Sequence, residues 1–331
     1  MKLIKIYLSV LFSVFFFASC EKEIEFKGKI TEPQVVVNSF ITPDSVIKAH
    51  VSESKFFLAS GYIFNDIKNA DISVLINGVL KEKMIYSVSG IYVAKYKPIV
   101  SDTVRLEVKI ANKSDVSCQT VFEPAIQMID LDTTKLYTGK YPITNYNRIT
   151  LKEDTLGYYL NYDFHFKLKF KDDGIKDNFY RLTVRTRTVL LDGRESSDYL
   201  FVFDDIVSGK TSSSTVGPPT SLSSNQYNVF SDELFNGKEY PLTFYVTNSI
   251  AKLLPEYEYL QTQFGNNYNK KEIYVNLQSI SKSYYLYLKS RDANSSSNAV
   301  FSEPIQIHNN IVGGIGIFGS YTSNLFEKID L

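Results

Sequence analysis

From residue 33 onward the chain alternates apolar and polar side chains in short runs, each closed by residues that favour turns. This period of two constrains the fold more than any other feature, because successive strand side chains point to opposite faces and each run can bury one face while wetting the other. Candidate strands span residues 34–41, 46–52, 70–76, 84–88, 91–95, 103–110 and 117–122, with turns at Thr42-Pro43-Asp44, Asn77-Gly78, Ser89-Gly90 and Asn112-Lys113. Beyond Glu123-Pro124 the runs lengthen. Residues 157–171 set Tyr159, Asn161, Asp163 and His165 against Leu160, Tyr162, Phe164, Phe166, Leu168 and Phe170, and Asp172-Asp173-Gly174 predicts a long hairpin to 179–191. There Thr183, Arg185 and Arg187 form a wet face opposite Leu182 and Val184. Further strands are expected at 240–247, 271–279, 299–308 and 314–318, and one short helix at 281–292 with Ser281 as its N-cap.

Seven short strands in about ninety residues is the density of an immunoglobulin-like or transthyretin-like β-sandwich, without the Cys, Trp, Cys pattern of a true immunoglobulin domain. The boundary falls near residue 125, and 131–147 reads as a Tyr-, Thr- and Lys-rich connection of little periodicity. The expected fold is therefore all-β. An N-terminal immunoglobulin-like or transthyretin-like sandwich over 33–125 precedes a larger β-sandwich over 126–331 with at most one or two short helices. The Ser-, Thr-, Gly- and Pro-rich stretch 208–224 is expected to be a long exposed loop.

Lys and Arg number 36 against 36 Asp and Glu, which leaves no basic surplus for displacing counterions from nucleic-acid phosphates. His50, His165 and His308 lie more than a hundred residues apart and match no metal-ligand spacing, so no metal and no cofactor is expected. No G-x-S-x-G elbow occurs. Neighbouring carboxylates such as Asp204-Asp205 and Asp232-Glu233 point to opposite sides of a strand, so they make no glycosidase pair. No catalytic residue is assigned, and the chain is expected not to be an enzyme.

Gly314-Ile315-Gly316-Ile317-Phe318-Gly319 fits G-x-G-x-x-G literally, but only twelve residues follow it, too few for the helix and acidic residue of a dinucleotide site. Its glycines are expected where another backbone comes close to a strand. Asp292, Asn294, Ser296, Asn298 and Glu303 fall at calcium-loop positions with Ser297 in place of the needed Gly, and a surface turn is the simpler reading. The 24 Tyr and 23 Phe fall mostly in alternating runs, where aromatics build strands and cores. Tyr257, Tyr259 and Phe264, in the irregular stretch 255–269, are the candidates for an exposed contact patch.

Near the N-terminus, Lys2 and Lys5 precede the apolar run 6–18, which spans roughly 20 Å as a helix against the roughly 30 Å of a bilayer core. Phe17-Ala18-Ser19-Cys20 resembles the lipobox read by lipoprotein signal peptidase. The resemblance implies a signal peptide over 1–19, lipid on Cys20, and a flexible acidic tether over 20–32, whose multiple acyl chains would anchor the protein in a membrane. Glu21, Lys22 and Glu23 resemble the export signal of surface lipoproteins in the Bacteroidota. Removing 1–19 leaves 34 basic against 36 acidic residues, and Cys118 as a lone thiol expected to act as a small buried hydrophobe. Asp44-Ser45-Val46, Asp102-Thr103-Val104, Asp132-Thr133-Thr134 and Asp154-Thr155-Leu156 resemble O-glycosylation acceptors of that group, and serve equally as turns opening strands.

The strings Phe301-Ser302-Glu303-Pro304, Ile307 to Gly319, Phe230 to Lys238 and the opening Pro33-Gln34-Val35-Val36-Val37-Asn38 are similar to an uncharacterised family of Bacteroidota outer-membrane lipoproteins, a domain of unknown function. The resemblance implies a surface-facing outer-membrane lipoprotein encoded beside TonB-dependent receptors, and transfers no ligand or catalytic residue. The expected function is that of a non-enzymatic accessory lipoprotein of a TonB-dependent transporter. A surface adhesin or matrix-binding protein is the alternative, followed by a hydrolase with a site assembled by the fold.

Overall fold

A computed structural model describes residues 32–43, 45–56, 65–148, 151–190, 193–200, 202, 225–260, 263, 268–296 and 306–330. Gln34–Ser54 and Gly61–Leu331 form one compact unit. Its first half contains β1 (Val35–Ile41), β2 (Lys48–Glu53), β3 (Asp71–Ile76), β4 (Val79–Lys83), β5 (Ile85–Tyr86), β6 (Ile91–Val93), β7 (Thr103–Lys109) and β8 (Val116–Val121). The second half contains β9 (Gln127–Asn147), β10 (Lys152–Lys171), β11 (Phe179–Leu190), β12 (Glu195–Tyr199), β13 (Val229–Ser231) and β14 (Glu239–Leu253). A 3-10 helix (Pro255–Leu260), β15 (Tyr268–Ile280), α1 (Lys282–Ser296) and β16 (Ile315–Asp330) follow. The fold is all-β with two helices, as the alternation predicts. Among the described residues no helix is long and apolar enough to cross a membrane.

One nine-stranded sheet runs in the order β12-β11-β15-β16-β1-β2-β6-β5, with β13 also pairing β11. A four-stranded sheet, β4-β3-β7-β8, closes the first half over a core that includes Val37, Val51, Ile72, Val74, Val104, Leu106 and Phe318. A three-stranded sheet, β14-β10-β9, closes the second over Phe164, Phe166, Leu168, Phe170, Leu182, Val184, Phe244, Ile273 and Val275. By register, the core-facing residues of β1, β16 and β15 share one face of the large sheet, so both smaller sheets sit on that face. The helix α1 packs on the other, where Tyr284 meets Phe40 and Gly319.

The seam between the halves is β16, antiparallel to β15 on one side and parallel to β1 on the other. The glycines of the G-x-G-x-x-G string lie along it. Gly316 has φ +126°, and a Cβ there would stand 2.1 Å from the Val37 carbonyl oxygen; one on Gly314 would stand 2.6 Å from that of Val35. Close backbone approach is thus the reason for the glycines. The linker expected as a plain boundary near 125 is stitched to the same strand: Ser320 Oγ donates to Val121 O at 2.7 Å and Thr322 Oγ1 to Glu123 O at 2.6 Å.

Two expectations are corrected. Residues 131–147 are not a connection but most of β9, the longest strand of the chain. Its side chains are largely exposed on both faces, so no apolar period marks it, and backbone pairing with β10 carries it. The hairpin expected between 157–171 and 179–191 does not form either. The strand β10 pairs β9 and β14, while β11 pairs β12, β13 and β15. A hairpin would hold the two apolar faces side by side in one layer, whereas facing each other they close a core.

The helix begins after Ser281 as expected, and Tyr285 N donates to Ser281 O at 3.0 Å. The Ser281 hydroxyl accepts from Ser320 N at 3.1 Å, tying the helix to the seam. Of the strand expected at 299–308, residues 306–308 are not strand and the rest lie outside the described residues, while 314–318 belongs to a strand that continues to Asp330.

Candidate functional site

At one end of the second core, the linker after β8, the end of β10, the start of β11 and the turn before β14 enclose a cavity of about 480 Å³. Pro124, Ala125 and Ile126 form one wall, Asp172, Asn178, Tyr180 and Ser279 the floor, and Gln127, Lys171 and Asp173 the exposed mouth.

The floor is built around Asp172, 1% exposed. Its Oδ2 accepts from Gly174 N at 2.9 Å and Gly237 N at 2.7 Å, and its Oδ1 from Asn178 Nδ2 at 3.1 Å and from the Tyr180 hydroxyl. Gly174 and Gly237 adopt φ of +65° and +71°, and a Cβ on Gly174 would stand 2.6 Å from the Gly237 Cα. The two turns therefore meet only because both residues lack a side chain. Behind them Asp232 Oδ2 accepts from Asn178 N at 2.9 Å, and its own N–H donates to Asn178 O at 3.2 Å. Burial pushes the Asp232 carboxyl above the usual carboxylate range. Burial, and next the Asp172 carboxylate beside it, pushes the Tyr180 hydroxyl well above the usual tyrosine value.

With four donors, the Asp172 carboxylate has its lone-pair sites filled from inside the protein. It acts as a brace for two loops. Asp173 and Lys171 present both charge signs at the mouth, an arrangement suited to holding a small polar group. Among the described residues no group of three His, Cys, Asp or Glu side chains could hold a metal ion.

The residues singled out in the sequence do not converge on this cavity. Tyr257 packs with Leu260 on a small core of Ile143, Leu156, Ala251 and Leu253, Tyr259 is 75% exposed, and Phe264 lies outside the described residues. Cys20, Glu21, Lys22 and Glu23 also lie outside them, as do Asp44, Asp204, Asp205, Asn298, Glu303 and the stretch 208–224. His50 meets Asp66 at 3.1 Å, and exposed His165 stacks on Tyr245. His308 is half-buried with no partner at Nε2, and burial lowers its pKa. Asp292 is buried and accepts from Gln226 N at 3.1 Å. Asp102 is buried and accepts from Asn77, Tyr96 and Ile99, a turn tie, while Asp132-Thr133-Thr134 is exposed on β9. Cys118 sits in the first core, where burial pushes its thiol up to about 12.

Sequence reading missed Asp172, Asn178 and Asp232 as one group. A signal existed in Asp172-Asp173-Gly174 and in Asp232 to Gly237, two turns each opening on Asp and closing on a positive-φ Gly.

No curated protein matches the chain. Among solved structures, a Corynebacterium diphtheriae protein named for a presumed membrane anchor matches at 7% identity and a TM-score of 0.21. The match covers 89% of this chain, which spans only 59% of that one, and it transfers no property. The family model of a domain of unknown function, DUF4249, matches residues 21–325, and the chain belongs to that family.

Proposed function

We propose that the mature chain, from Cys20, is a lipid-anchored protein of the outer membrane facing the exterior, and that it works without catalysis as a binding or accessory component of a TonB-dependent uptake system. The Cys20 string and the acidic Glu21-Lys22-Glu23 segment support the anchor and its direction. The observation that carries the non-catalytic part is the saturated Asp172: a buried carboxylate that already accepts four internal hydrogen bonds holds the walls of a cavity and takes no proton from a substrate. A cavity with polar floor and mixed-charge mouth, on a rigid β scaffold, suits capture of a small polar group.

Two measurements test this reading. Cys20→Ser is expected to move the protein out of the membrane fraction. Gentle solubilisation of outer membranes is expected to recover the wild type with a TonB-dependent receptor. Repeated recovery without any receptor, together with unchanged nutrient uptake after deletion, overturns the accessory role.

A further inference from the structure

Beyond Asn248, which Lys271 of β15 meets, the inner face of the three-stranded sheet has a chemistry of its own. Register places Lys135, Tyr137, Lys140 and Pro142 of β9, Tyr158, Leu160 and Tyr162 of β10, and Asn248, Ile250 and Lys252 of β14 on the face that deeper in the fold carries Phe164, Phe166 and Phe244. A β-bulge at Thr138 makes Lys140, rather than Gly139, return to this face. The contacts agree with the register. Lys135 Nζ lies 4.2 Å from the Tyr162 ring centre, Lys140 Nζ lies 3.6 Å from that of Tyr158, and Tyr137 meets Tyr162 edge-on at 5.7 Å.

Tyr137 is 57% exposed, and Lys135, Lys140 and Lys252 are exposed. Across the gap, Lys271 donates to Asn248 Oδ1 at 3.0 Å. None of the ten inner-face positions named above is acidic; by register the next acid on this face of β10 is Glu153, beyond Thr155, and Asp198 of β12 acts on Lys271. The acids of β9, Asp130 and Asp132, and Asp163 of β10 fall on the opposite face.

We propose that this face binds an acidic oligosaccharide. The lysines, held over tyrosine rings, supply fixed cationic points, and the exposed tyrosine surface supplies an amphipathic platform for sugar rings. Spacing selects among polyanions. Lys135 and Lys140 stand opposite Phe164 and Leu160, four residues apart on β10, hence roughly 13 Å along the strand. Each strand of duplex DNA carries one charge about every 3.4 Å of helix axis, far denser than these points, whereas a glycan acidic only at alternate sugars is comparably sparse. The site is separate from the cavity at Asp172 and does not depend on a transporter partner.

The test uses the full chain in detergent, with hyaluronan oligosaccharides, whose carboxylates fall on alternate sugars, as probe and dextran as the neutral control. The expected result is binding of the acidic probe, weakened by salt, and no binding of dextran. Lys135→Ala with Lys140→Ala is expected to weaken binding at least tenfold. Lys169→Ala, on the opposite face and paired with Glu239, is expected to leave it unchanged. Equal binding by the double variant, equal binding of dextran, or equally tight binding of duplex DNA overturns the proposal.

Discussion

The two halves of the large sheet carry unlike cores. In the first, strands of two to seven residues enclose a dry interior, and buried Asp102 is placed at a turn. In the second, strands reach 21 residues and the buried set includes Asp172, Asn178, Asp232, Asn248, Glu272 and Gln278. Glu272 is held by Arg187, Lys270 and the Tyr274 hydroxyl. The first half rests on apolar packing and the second also on ties between buried polar groups, which are costly wherever a partner is lacking. The cavity at Asp172 and the lysine–tyrosine face both lie in the second half, and the first pairs with β16 through β1.

The largest expected effect tests whether the halves are separable at all. Gly316→Val places a side chain at φ +126° and against the Val37 carbonyl, in a backbone region close to glycine-only. Because β16 pairs both β1 and β15, the variant is expected to lose folded structure in both halves, at a cost of about 3 kcal/mol or more. Limited proteolysis with circular dichroism checks this. A protease-resistant first half surviving alone would show that the seam is dispensable to it.

Asp172→Ala asks how far the second half rests on its polar brace. The substitution leaves two backbone N–H groups and the Tyr180 hydroxyl without their acceptor, while the Asn178 amide keeps Asp173 and the Lys176 carbonyl, and it is expected to cost about 3–4 kcal/mol. The matched change in the first half is Cys118→Ser, which puts a hydroxyl into an apolar core and is expected to cost about 1–2 kcal/mol. Denaturant melts of the two variants compare them directly. Similar losses would erase the contrast between a dry core and a braced one.

Much of the fold was legible because alternation reports burial on a strand whatever its partners. It gave both faces of β10, the buried Cys118 and, through Gly314 and Gly316, the close approach of a second backbone. The layer crossing between β10 and β11 was not legible, since a turn motif such as Asp172-Asp173-Gly174 serves a hairpin and a crossing alike. Nor was β9, whose two exposed faces leave no pattern. The brace joins Asp172 to Gly237, and the seam joins Val121 to Ser320, contacts between segments 65 and 199 residues apart that no local period encodes.

The smallest expected effect separates half-buried His308 from buried Asp232 by the pH at which each acts. Burial lowers the His308 pKa below its ordinary 6.5, so the folded chain holds it neutral while the unfolded chain protonates more readily. Its contribution to stability is present above the unfolded value and is lost as pH falls through the folded one. Burial raises the Asp232 pKa above 3.8, which has the opposite sign: the cost of burying its charge is relieved as pH falls through the raised value toward 3.8. Thermal melts across pH are therefore expected to show stability falling below about pH 6.5, with part of the slope removed by His308→Asn. Asp232→Asn is expected to change the slope with pH only in the carboxylate range, and to raise stability above it provided the new amide keeps its oxygen on Asn178 N. An acid profile unchanged by Asp232→Asn would mean that the second half does not pay for a buried charge there, and would bring its interior closer to the dry core of the first.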